Sequence, residues 1–327
     1  MVISMAYSEV VLQRARQRLA QEKAQYDAKA EARRAQIYQE YPRLLEIDRA
    51  LRQSVAAAVA AAFRRGENPA QAIEAIKAKN LALQQEREWL LEAADLDESA
   101  LEPPPFCPHC GGSGYVGAVM CECLRDICRD EQKKELSSLL SGKESFDGFR
   151  LDLYPAEPDP TLGVSPRELM ERTFQRCKRY ARTFHPGAPS LLFTGGPGLG
   201  KTYLSACIAR AVADNGFSVV YDTAGKLFAD FEAVKFGGDQ RDLTRKYLDC
   251  DLLIIDDLGT EMTTQFTQSV LYRVLNDRLL ENRSTIVSTN LGDALLRQRY
   301  TPAIVSRLLG AFEACVFLGR DIRQLRH

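Results

Sequence analysis

Two short stretches of this chain carry residue types at spacings that do chemistry. In "SLLFTGGPGLGKT" an apolar run, Leu191 to Phe193, leads into Gly195-x-x-x-x-Gly200-Lys201-Thr202, and a helix-forming stretch, "YLSACIARAVADNG", follows. This is the strand–loop–helix setting of a P-loop. Glycines let successive N–H groups close around a phosphate, and the start of the helix adds its positive end. Gly195, Gly196, Pro197, Gly198, Leu199 and Gly200 would form the cradle. Lys201 would reach the β- and γ-phosphates of ATP, and Thr202 would offer its hydroxyl to Mg²⁺. The second stretch, "CPHCGGSGYVGAVMCECLRDIC", holds five of the nine cysteines between Cys107 and Cys128. Cys107-x-x-Cys110 turns two thiolates toward one point, and Gly111, Gly112 and Gly114 let the chain fold back. Cys121-x-Cys123 then completes a tetrahedral sulfur set of the kind structural Zn²⁺ takes. Cys128 or His109 could replace one ligand. Redox or iron–sulfur use is the rival reading, but a redox CxxC is expected beside a βαβ pattern, which this segment lacks.

Carboxylates complete the first set. "DLLIIDDLG" opens with Leu252 to Ile255, an apolar run suited to a strand buried on both faces. Such a strand delivers Asp256 and Asp257 at its C-terminal end, where α/β folds bind ligands. Asp256 fits the magnesium-side carboxylate, and Asp257 could polarise an attacking water. "STIVSTNL" ends another β-branched run at Thr289-Asn290, where an amide beside the γ-phosphate would orient water or report hydrolysis. Paired aspartates and a strand-end asparagine also occur in plain turns.

The elements that must position these residues follow from composition. The chain has 327 residues, with 45% apolar and 27% charged, a range typical of soluble globular proteins. A net charge of -1 excludes a strongly basic chain, so any nucleic-acid contact needs a local patch. Arginines interrupt the N-terminal segment too early for a signal peptide, and "VAAAVAAAF" is too short to span a bilayer. A cytoplasmic setting is expected, with reduced thiols and no membrane partner.

Residues 1–101 are rich in good helix formers and are expected to be a helical, partner-binding region. Pro42 breaks the first helix from the second, and "GENPAQA" ends the second and starts a third, with Asn68 as N-cap. Leu44, Ile47, Leu51 and Val55 share one helical face, and Ile76, Leu83 and Leu90 recur on the third helix, as in a helical hairpin. "EPPPF" marks a stiff break. A zinc module is expected over residues 102–130 and a polar connector over 131–165. From 166 to 327, apolar runs alternate with helical patterns, the sign of a parallel sheet flanked by helices. Cys177, Cys207, Cys250 and Cys315 fall in apolar or helical surroundings and read as core.

"FTGGPGLGKT", "LLIIDDLG" and "TIVSTNL", in this order and at this spacing, resemble the AAA+ ATPases of the DnaC/DnaI helicase-loader and IstB type. The resemblance runs from about Phe146 onwards. "ESFDGFRLDLYP" looks like the segment that precedes the P-loop in these loaders, "VSRLLGAF" like their arginine-finger box and "FLGRDIRQL" like their closing segment. So few residues follow that no separate helical lid is expected. The resemblance implies an AAA+ P-loop domain with a five-stranded parallel sheet, ATP with Mg²⁺, and slow, assembly-dependent hydrolysis. It makes Arg307 a finger reaching the nucleotide of a neighbouring subunit, and Arg323 a sensor-II-like contact. It implies self-association, a replicative hexameric helicase as partner, and single-stranded DNA as substrate. The cysteine segment is similar to a zinc-binding stretch that some loaders carry. Loaders also place DNA contacts between the second strand and "LLIIDD"; there Lys226 and Lys235 are the candidates, while Phe228 and Phe231, at i and i+3, have the spacing of a core face. A transposition helper of the IstB kind, or an adaptor gated by nucleotide with negligible hydrolysis, are the alternatives. The Asp-Asp pair, where many AAA+ enzymes carry Asp-Glu, keeps the adaptor open.

Overall fold

Proline at position 42 and proline at position 69 divide the N-terminal third into three helices, as their missing N–H groups and fixed φ dictate. In the computed structural model these are α1 (Glu9–Glu40), α2 (Pro42–Phe63) and α3 (Pro69–Ala93). The structure describes residues 7–63, 69–139, 144–160, 163–237 and 242–325, with the side chains of 55–73, 137–143, 236–242 and 325–327 outside that description. The expected cap at Asn68 therefore lies outside the described residues. The chain forms two compact units, Arg18–Cys123 and Met1–Gln17 with Leu124–His327.

Within the first unit, α2 and α3 pack as a hairpin. Leu44 and Ile47 are fully buried, and Leu91, Ala100 and Leu101 cluster with Leu44. Charge pairs fix the register of the two helices. Arg43 holds Glu86 with two bonds of 2.7 and 2.9 Å, and the buried Arg87 reaches Asp48 at 2.9 Å. A small antiparallel hairpin, β1 (Tyr115–Val116) with β2 (Val119–Met120), follows the first cysteine pair.

The next helix, α4, runs from Glu122 to Leu139. It continues through residues 131–139, which the sequence presents as polar connector. The reason lies in its buried face: Ile127 and Cys128, Glu131 and Gln132, then Leu136 recur at helical spacing. Two of those residues are polar, which hides the stripe from a hydrophobicity reading.

The second unit is built on a five-stranded parallel sheet. Helix α5 (Pro166–Arg182) starts from a Ser165–Glu168 capping box. Then come β3 (Leu191–Thr194), α6 (Lys201–Asp214), β4 (Val219–Thr223), α7 (Ala224–Gly237), α8 (Asp242–Asp249) and β5 (Leu252–Leu258). The chain continues with α9 (Gln265–Leu280), β6 (Ser284–Thr289), α10 (Asp293–Arg299), α11 (Pro302–Gly310) and β7 (Glu313–Val316). Strand order is β4-β5-β6-β3-β7. Successive strand residues face opposite sides. Leu191, Phe193, Leu252 and Ile254 therefore join the core under α5 and α6, while Leu192, Leu253 and Ile255 join the core under α7, α9 and α11. Cys177, Cys207, Cys250 and Cys315 are buried, as their surroundings in the sequence imply.

Two polar side chains do structural work the sequence does not announce. Gln132 donates to the Phe217 carbonyl and accepts from the Val219 N–H, both at 2.9 Å, so its amide stands in for a neighbouring strand at the β4 edge. Arg278 is 1% exposed and donates to the carbonyls of Tyr247, Cys250 and Ser284 and to Thr285 Oγ1.

Candidate nucleotide-binding site

β3 lies between β6 and β7, so the chain leaves its C-terminal end at the point where strand order turns. The loop there is shaped by contacts only glycine permits. Gly195 has a φ of 146°, and a Cβ on it would stand 2.2 Å from the Phe317 carbonyl oxygen. Gly198 has a φ of 68° and would meet Asp321. Gly200, at φ 89°, is the N-cap of α6. Tyr154 donates to the Leu199 carbonyl at 2.8 Å and holds the loop from outside.

A cavity of about 490 Å³ opens over this loop, lined by Pro197, Gly198, Leu199, Gly200, Lys201 and Thr202 together with Asp257, Asn290 and Arg323. The segment ahead of α5 forms another wall through Phe149, Arg150 and Tyr154. Phe149 stacks on Phe174 with centroids 5.2 Å apart, which fixes its ring. The pattern of "ESFDGFRLDLYP" alone did not reveal this lining role.

Lys201 is 5% exposed, and its Nζ donates to the Gly195 and Gly196 carbonyls at 2.7 and 2.6 Å and to Asn290 Oδ1 at 2.6 Å. Burial pulls its pKa below the usual lysine value, and the charges of Asp257 and Asp256 work against that. Asp257 faces the cavity, and burial followed by repulsion from Asp256 raises its carboxyl above the ordinary 3.8. Asp256 is 4% exposed and does not line the cavity. It sits behind Asp257, accepting from Tyr221 Oη at 2.8 Å and from Ser288 Oγ. Neither hydroxyl stood out in the sequence, because Tyr221 and Ser288 fall inside strand-like apolar and β-branched runs. The hydroxyl of Thr202 and the two carboxylates are hard oxygen donors of the kind Mg²⁺ takes.

The remaining candidates lie elsewhere. Arg307 on α11 is absent from the cavity lining. It is folded onto α9, donating to Tyr272 Oη at 2.9 Å and Asn276 Oδ1 at 2.5 Å, with its guanidinium 4.2 Å from the Tyr272 ring centroid. Lys226 and Lys235 are exposed on α7; Lys226 pairs with Asp230, and Lys235 lies 4.8 Å over the Phe266 ring. Phe228 and Phe231 are buried in the core under α7.

Cys107, Cys110, Cys121 and Cys123 bring their sulfurs within 4.8 Å of one another. Cys107 and Cys121 are 3.8 Å apart, Cys110 and Cys123 3.4 Å. Four sulfurs about 2.3 Å from a tetrahedral centre stand about 3.8 Å apart, so the donor set fits zinc. Cys110 also accepts the Gly114 N–H at 3.3 Å. His109 and Cys128 are outside this group. Cys128 is fully buried, and burial pushes its thiol up to about 12.

A parallel sheet in this order, with a P-loop after its first strand and an acidic pair on the strand that follows α8, is the arrangement of a P-loop nucleotide-binding domain. Residues 177–313 match the family described as IstB-like ATP binding protein. It is 24% identical over 140 residues to the replicative helicase loader DnaC of Buchnera aphidicola subsp. Schizaphis graminum, covering 42% of this chain and 57% of the relative. Against the DnaC of Buchnera aphidicola subsp. Acyrthosiphon pisum the identity is 24% over 188 residues, 56% of this chain and 73% of the relative. The chain thus spans little more than half the length of the first of these relatives. The crystal structure of the DnaC helicase loader superposes with a TM-score of 0.44 at 22% identity, covering 54% of this chain and 97% of that one. No described helix is long and apolar enough to cross a membrane.

Proposed function

We propose that this chain is an ATP-dependent loader that brings a replicative hexameric helicase onto single-stranded DNA in the cytoplasm. The observation that carries the reading is the cavity that gathers the P-loop, Asp257, Asn290 and Arg323, in a domain whose relatives bear the name replicative helicase loader. Lys201 is held by three oxygens that a phosphate would replace, so nucleotide binding exchanges those bonds for a charge-assisted one. Thr202 on the cavity wall and Asp256, a layer behind Asp257, are the chain's groups for Mg²⁺, which would supply charge neutralisation on the phosphates. Asp257 and Asn290 orient water, Arg323 faces the same cavity, and Arg307 serves a neighbouring chain's nucleotide in a self-assembled ring or filament. Lys226 and Lys235 present charge to the DNA backbone. Cys107, Cys110, Cys121 and Cys123 hold Zn²⁺ as a structural clamp on a module with little apolar core of its own.

One observation favours a second reading, an adaptor gated by nucleotide. Asp257 is one methylene shorter than the glutamate many AAA+ enzymes carry at this place, so its carboxylate reaches less far toward an attacking water. The deciding experiment is retention of purified replicative helicase by the immobilised full chain, with ATP and without. Retention with ATP-dependent release onto single-stranded DNA is expected; no retention in either state would end the loader reading.

A further inference from the structure

Sheet register singles out one serine. β5 and β6 pair Ile255 with Val287 and Leu258 with Thr289, so Asp256 and Asp257 together face the single residue Ser288. This two-against-one arrangement is a β-bulge. Asp257 takes a φ of 54°, a left-handed conformation that costs a residue other than glycine about 1–3 kcal/mol and persists only where its surroundings hold it.

The bulge removes the regular ladder partners, and a side chain replaces one of them. The Asp257 N–H donates to Ser288 Oγ at 3.0 Å, and the same hydroxyl donates its proton to Asp256 Oδ1. Tyr221 Oη donates to the other oxygen, Oδ2, at 2.8 Å. Ser288 and Asp256 are buried, while Asp257 reaches the cavity. One hydroxyl thus fixes the turn that sends Asp257 outward and the carboxylate that stays behind it.

We propose that Ser288, with Tyr221 as the second donor, is a positioning residue that sorts the two aspartates into their places around the nucleotide's magnesium. The inference rests on the reading of this cavity as a site for ATP with Mg²⁺. Neither residue touches nucleotide; both act through Asp256 and, for Ser288, through the backbone of Asp257. A serine that merely filled space would be replaceable by alanine with no change in metal dependence. A positioning serine is replaceable for nucleotide alone and not for nucleotide with magnesium.

The test is binding of a fluorescent ATP analogue to the full chain, in excess EDTA and across a magnesium titration, with melting curves for each variant. In Ser288→Ala the magnesium concentration at half of the metal-dependent tightening should rise about 10- to 100-fold, the usual effect of losing a partner to a metal-side carboxylate. Affinity in EDTA should stay at the wild-type value. Tyr221→Phe keeps the ring, removes one donor and should shift the midpoint in the same direction by less. A folded Ser288→Ala with a wild-type midpoint, or with equal loss in EDTA and in magnesium, overturns the proposal. If Ser288→Ala does not fold, Tyr221→Phe decides, and an unchanged midpoint there overturns it. A wild-type chain that binds no nucleotide in either condition strikes the ATP reading itself, and this inference with it.

Discussion

Replacing Arg307 by alanine sets the subunit-interface mechanism against a purely structural role. The guanidinium is half-buried and makes two side-chain bonds, to Tyr272 and Asn276, a backbone bond to the Ala303 carbonyl, and a ring contact with Tyr272. At a site this open, water replaces much of what is lost, so the side-chain contacts together are worth about 1–2 kcal/mol. To serve a neighbour, Arg307 must let go of Tyr272 and Asn276, and that sum makes the released state roughly 5- to 30-fold rarer than the held one. Tyr272→Phe combined with Asn276→Ala should therefore raise turnover in the assembled state several-fold, while Arg307→Ala lowers it steeply, since such a finger contributes about 10³-fold or more. The assay is ATPase rate against protein concentration with single-stranded DNA present. Mixing supplies the control: a Lys201→Ala chain has no working site but still carries Arg307, so it should restore turnover to an Arg307→Ala chain. If both variants assemble and no mixture recovers activity, the finger reasoning is wrong and Arg307 is a strut between α9 and α11.

Lys201→Ala should abolish ATP binding, measured by calorimetry, while the nucleotide-free protein melts within a few degrees of wild type, because the lysine is a buried charge whose burial is already costly. Asp257→Asn should melt higher than wild type at pH 7: the folded state prefers the protonated carboxyl, so the stability this group contributes is full below about 3.8 and is lost as pH rises through its raised value. The gain from Asn should disappear in melting curves taken below that range. Metal analysis should find about one Zn²⁺ per chain, and chelation should unfold the cysteine module with ATP binding kept. Arg278→Met leaves several buried carbonyls without a donor and should cost about 3 kcal/mol or more in urea unfolding.

Motifs whose chemistry depends on fixed spacing were legible in the sequence. "GGPGLGKT" implies a cradle, and the positive φ angles at Gly195, Gly198 and Gly200 supply it. The apolar strands were legible because a sheet covered on both faces needs no polar alternation. The four-cysteine cluster was legible as two close pairs separated by glycines. α4 was not, because its buried face includes Glu131 and Gln132, and a hydrophobic pattern is blind to a stripe that is half polar. The wall made by Phe149 and Tyr154 was also hidden, since it depends on how short 3₁₀ turns fold back on α6.

The acidic pair marks the limit of a motif more sharply. "IIDDLG" tells that two carboxylates arrive at a strand end, and strand periodicity alone would send them to opposite faces. Which one reaches the cavity depends on whether the strand bulges there, and that depends on what β6 offers opposite. Ser288 offers a hydroxyl small enough to fit and able both to accept the Asp257 N–H and to donate to Asp256. The residue that decides the arrangement is thus thirty-one positions away from Asp257, in a segment that reads as ordinary strand. A substitution at Ser288 should for that reason change magnesium dependence without altering a single residue of either nucleotide motif.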